Sequence, residues 1–120
     1  MRAIDLKLAN HLVAFKPVKS GESKVVVEGD KSQLYLYGSK IAELEAGDLK
    51  ISWANKPTAT TTARIKGVLS VFTNDRVQAK IKGGLPVIIN TEGETLEVDT
   101  SNFHTISKDG YKFDVIVNND

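Results

Sequence analysis

The sequence predicts an α+β fold, a predominantly antiparallel β-sheet with one central helix over about residues 60–73. Two patterns predict it. Short runs of alternating apolar and polar residues recur between glycine-containing turns, and a single segment, Thr60 to Phe72, places Ile65, Val68, Leu69 and Phe72 at i, i+3, i+4 and i+7. The chain of 120 residues is long enough for one core without metals or disulfides, so residues 1–120 are expected to form a single domain.

The first element reads two ways. Ile4, Leu8, Leu12 and Phe15 recur at helical spacing, while Ile4, Leu6 and Leu8 alternate as on a strand. Pro17 and the stretch Ser20 to Ser23 end it, and KVVVEGDKS follows as a strand running into a turn. QLYLY alternates Leu34 and Leu36 with Tyr35 and Tyr37, Gly38 breaks the run, and KIAELE makes the next strand. Ala46, Gly47 and Asp48 turn the chain into LKISWAN, where Leu49, Ile51 and Trp53 share a face.

Pro57 disfavours a helical Lys56, so the helix is expected to start beyond it. Thr60 or Thr61 is the expected N-cap, a role worth about 1 kcal/mol over alanine. The helix should stop near Asn74, after which VQAKIKGG, LPVIINT, ETLEVDT and YKFDVIV read as strands.

From Gln33 to about Asn90 the chain resembles small accessory proteins of tailed bacteriophages to which no activity is assigned. The resemblance rests on LYLYGSKIAEL with Ile41 and Ala42, on the aromatic strand end at Trp53, and on Thr-Thr-Ala-Arg at Thr61 to Arg64. Such phage sequences often have a histidine after the basic residue, where this chain has Ile65. The resemblance implies an accessory protein that acts during infection.

A hydrophobic fraction of 41% and a charged fraction of 26% are ordinary for a globular protein. Asp5, Lys7, Asn10 and His11 interrupt the N-terminal segment, so no signal peptide is expected, and no apolar run is long enough to cross a bilayer. With no cysteine, there is neither a disulfide framework nor a thiolate nucleophile. The expected location is the host cytoplasm, with no membrane partner.

No enzyme signature emerges, and a non-enzymatic protein without cofactor or metal is expected. His11 and His104 lie in no recognisable metal-ligand spacing. His104, Ser107 and Asp109 bring imidazole, hydroxyl and carboxylate within six residues, but nothing in their spacing implies a triad. Glu92, Glu94, Glu97 and Asp99 do not match a calcium loop and read as a solvated hairpin. Tyr35, Tyr37 and Trp53 could stack on bases, but without an RNP-type motif Tyr35 and Tyr37 read as half-buried cross-strand residues and Trp53 as core.

The charge distribution points to a working surface. Between Lys50 and Lys82 stand Lys50, Lys56, Arg64, Lys66, Arg76, Lys80 and Lys82 against Asp75 alone, a net of +6, and the rest of the chain is −5. Such asymmetry suits an anionic partner, either nucleic acid or an acidic host or phage protein. The competing reading is a set of lysines alternating out of VQAKIKG, with Val77, Ala79 and Ile81 facing in. At the helix start, Lys56, Thr60, Thr61, Thr62 and Arg64 could hold an anion on free amides. Gly67 falls on the outward face beside Lys66, where close approach of a partner's backbone would explain it. The expected binding set is therefore Lys56, Thr60, Thr61, Thr62, Arg64, Lys66, Gly67, Lys80 and Lys82. The alternative class is a structural or assembly component of a phage particle or homo-oligomer.

Overall fold

The computed structural model describes residues 2–107. The elements run α1 (Ala3–Val13), β1 (Val18–Ser20), β2 (Ser23–Glu28), β3 (Lys31–Leu36), β4 (Ser39–Glu45), β5 (Asp48–Ile51), α2 (Ala59–Thr73), β6 (Gln78–Lys82), β7 (Leu85–Ile89), β8 (Thr95–Glu97) and β9 (His104–Ile106). The fold is α+β and mostly β. Its strands form two antiparallel sheets, β1-β2-β3-β4-β5-β9 and β6-β7-β8. The segment YKFDVIV lies outside the described residues.

Two-residue turns set the register of the first sheet. Tyr37 and Gly38 both have positive φ, 51° and 80°, the conformation that turns a chain with the twist of its flanking strands. Leu36 therefore faces Ser39 and Tyr35 faces Lys40. One row across the sheet, Val18, Val25, Leu34, Ala42, Ile51 and His104, turns toward the core. A bulge lies between the Leu34–Ala42 and Tyr35–Lys40 pairs. It leaves Ile41 unpaired, so that Ile41 and Ala42 are both buried although they are consecutive.

The N-terminal element is a helix. Its period of 3.6 buries Leu8 and Leu12 and leaves Leu6, which a strand would have shared with them, exposed. α1 packs against α2, β2 and β3, and α2 packs in addition against β4 and β6. Helix α2 is thus covered from several sides. Ile65, Val68, Leu69 and Phe72 are all in the core, as their spacing predicts.

The cap of α2 is Thr58, not Thr60 or Thr61. Its Oγ1 accepts from the Thr61 amide at 3.1 Å, because the residue directly after Pro57 is extended and already aimed at the first turn. The helix ends as expected at Asn74, whose left-handed backbone sends its N–H to the Ser70 carbonyl.

Gly67 is not on an outward face. It is buried at the crossing of α1 and α2, where an added Cβ would sit 2.7 Å from the Asp5 carbonyl oxygen. A backbone does approach closely, but it belongs to this chain's own first helix. Alanine normally gains about 1 kcal/mol over glycine in a helix. Here the clash with an immobile main chain reverses the sign, and Gly67→Ala is expected to destabilise by about 1–3 kcal/mol. Chemical denaturation checks this, and a stabilised variant would show that α1 stands farther from α2.

Candidate functional site

The threonines at the start of α2 are engaged within the fold. Besides capping the helix, the Thr58 hydroxyl lies 2.9 Å from that of Thr61. Thr62 Oγ1 accepts from Trp53 Nε1 at 2.9 Å inside the protein. Thr61 and Thr62 are buried and Thr60 is half-buried. Lys56 is exposed, its Nζ 3.3 Å from Ser39 Oγ.

Arg64, expected to point outward, is 9% exposed. Its Nη1 donates to Asp5 Oδ1 at 2.6 Å and its Nε to Ser23 Oγ at 3.1 Å, while Arg2 Nε reaches the other Asp5 oxygen at 3.2 Å. The guanidinium thus ties α2 to α1 and β2. A buried charge requires such a partner, and Asp5, 59 residues away in sequence, supplies it. The structure therefore does not bring Lys56, Thr60, Thr61, Thr62 and Arg64 together as an open anion cradle.

Part of the basic segment does face solvent. Lys66, Lys80 and Lys82 are exposed and form no ion pair among the described residues. A shallow depression of about 110 Å³, lined by Lys66, Ser70, Asp75, Val77, Gln78 and Ala79, joins the open side of α2 to the start of β6. Lys80 and Lys82 lie beyond it on the β6–β7 hairpin, which closes at Gly83 and Gly84. Val77 and Ala79 are buried as expected, but Ile81 is 40% and Leu85 54% exposed. The alternation continues past Ala79, while the core it would face does not, so the tip carries Leu85 on the face of the two lysines and Ile81 on the other. The paired glycines after Lys82 were the sequence signal for such a tip.

His104 is buried in strand β9, its Nε2 3.2 Å from the Asp99 carbonyl oxygen and its Nδ1 without a partner among the described residues. Ser107 is exposed and Asp109 lies outside the described residues. Burial holds the imidazole pKa below its ordinary value, so the unfolded chain binds the proton more readily. Stability is expected to fall as pH drops below about 6.5, the unfolded histidine value, until the folded value is passed. Glu43 titrates in a lower window. Lys40 Nζ at 2.7 Å and Gln33 Nε2 at 3.2 Å hold its carboxyl below the ordinary value, so its contribution is present above about 4.5 and lost in stronger acid. Denaturation between about pH 7.5 and 3 checks this, and His104→Gln should abolish the first window only.

The Glu92 and Glu94 region is a hairpin turn organised by Asn90, whose Oδ1 accepts from both backbone amides. Among the described residues no group of three His, Asp or Glu side chains is placed to hold a metal ion, and no helix is long and apolar enough to cross a membrane. A family model described as Kyanoviridae Gp96 protein matches residues 1–113. No curated protein and no solved structure matches the chain.

Proposed function

We propose, for a chain that belongs to the Kyanoviridae Gp96 family and is therefore a phage protein, a non-enzymatic accessory role exerted by binding. The partner is an acidic surface on a host or phage protein inside the infected cell, and the binding element is the β6–β7 hairpin with Lys66 beside it. One observation carries this reading: Leu85, 54% exposed, pairs across the hairpin with Lys82 and so shares a face with Lys82 and Lys80, neither of which forms an ion pair among the described residues. Cations alone suffice to hold a phosphate backbone. An apolar centre within a charged rim is instead the anatomy of a protein interface.

The test is capture of partners from nuclease-treated host lysate by the full-length protein. Lys80→Glu with Lys82→Glu, and separately Leu85→Ser, should each lose the partner while the melting temperature holds, because all three positions are exposed. Lys7→Glu with Lys16→Glu makes the same change in total charge at exposed sites elsewhere and should leave binding intact. Equal loss in both charge reversals would remove any special role for the hairpin. Binding abolished by nuclease would assign the surface to nucleic acid, and salt-insensitive self-association would favour an assembly component.

A further inference from the structure

A different face of the molecule carries a different chemistry. On the face of the first sheet turned away from the core, the register places Lys19 beside Lys24, Lys24 beside Tyr35, and Tyr35 beside Lys40. Neighbouring strands are about 4.8 Å apart, so the four side chains form one lateral row about 15 Å long. Phe103, just before β9, extends it, with Lys40 Nζ 5.9 Å from its ring centroid. Lys24 Nζ lies 5.7 Å from the Tyr35 ring centroid. Lys19 and Lys24 are exposed, Tyr35 is half-buried and Phe103 is 45% exposed. At the β1–β3 end of the row a depression of about 220 Å³ is lined by Lys19, Lys24, Tyr35 and Gly38 together with the Glu22 carboxylate.

We infer that this row is a binding platform for single-stranded nucleic acid, with bases stacked on Tyr35 and Phe103 and phosphates on Lys19 and Lys24. The inference goes beyond the hairpin reading and concerns a different face. Single strands are held where cations follow the backbone and aromatic rings meet the base faces. An acidic peptide would need only the cations, and a duplex keeps its base faces stacked against each other. Lys40 is left out of the phosphate set, because its Nζ is tied to the Glu43 carboxylate at 2.7 Å.

Fluorescence anisotropy of the full-length protein with labelled oligothymidylate and oligouridylate of about 12 nucleotides, and with a duplex of equal length, tests the inference over a salt series. Single strands should bind more tightly than the duplex, with affinity falling as salt rises. Phe103→Ala, at an exposed position, should weaken binding about tenfold. Tyr35→Leu should do the same while keeping an apolar side chain in the sheet. Lys19→Glu with Lys24→Glu should weaken binding and flatten the salt dependence, whereas Lys80→Glu with Lys82→Glu should leave it unchanged. Duplex binding as tight as single-strand binding, indifference to Phe103→Ala, or an equal loss from the hairpin reversal would each overturn the inference.

Discussion

Replacing Arg64 by alanine is expected to destabilise the protein by about 3–5 kcal/mol, because it leaves the Asp5 carboxylate buried with only the half-exposed Arg2 for a partner. Asp5→Ala should cost a similar amount by stranding the guanidinium. The net worth of the pair is much smaller than either loss, since its Coulombic gain is largely offset by the desolvation of both charges. Asp5→Leu with Arg64→Met should therefore recover most of the stability lost in either single variant. Urea denaturation of the wild type, the two alanine variants and this double variant measures the recovery. A loss below about 1 kcal/mol in Arg64→Ala would mean that the side chain swings out to solvent, and would return Arg64 to the basic surface.

Trp53→Ala is expected to cost about 3–5 kcal/mol. The indole is fully buried immediately after β5, where Ala54 and Asn55, both at positive φ, reverse the chain toward α2. Its Nε1–H donates to Thr62 Oγ1 at 2.9 Å, so the same side chain fills the core and joins the sheet to the first turn of the helix. Thr62→Val separates these contributions. It keeps the shape but leaves a buried N–H without an acceptor, at an expected cost of about 1–3 kcal/mol. Trp53 is the only tryptophan, so its emission reports unfolding directly in Thr62→Val, and circular dichroism follows Trp53→Ala. A neutral Thr62→Val would mean that the indole N–H finds another acceptor.

Local pattern made the strands β2 to β8, the central helix and its Asn74 end legible, because each follows from a period and a stop signal contained within about ten residues. It did not reveal β1 or β9. Both are three-residue strands outside any longer alternating run, unlike the equally short β8 within ETLEVDT, and β9 exists only because β5 offers an edge to pair with. The lysine and aromatic row on the first sheet was within reach of the sequence. The two-residue turns at Gly21-Glu22, Gly29-Asp30 and Tyr37-Gly38 alone place Lys19, Lys24, Tyr35 and Lys40 opposite one another.

By itself, the sequence determined the fold class, the core stripe of α2, the burial of Trp53 and the excess of cations between Lys50 and Lys82. Only the tertiary structure decided which of those cations meet solvent. A helical wheel sets Gly67 away from Leu69 and Phe72 and puts Arg64 at the border of the core stripe, beside Val68. It cannot show that a second helix covers that side, because the residue that neutralises Arg64 and the backbone that excludes a Cβ at Gly67 both come from Asp5, some 59 residues away. Ile81 shows the converse. Its alternation is that of an inward residue, yet it is exposed because the hairpin extends beyond the core. Periodicity assigns a side chain to a face of its own element, and burial depends on what the rest of the chain places against that face.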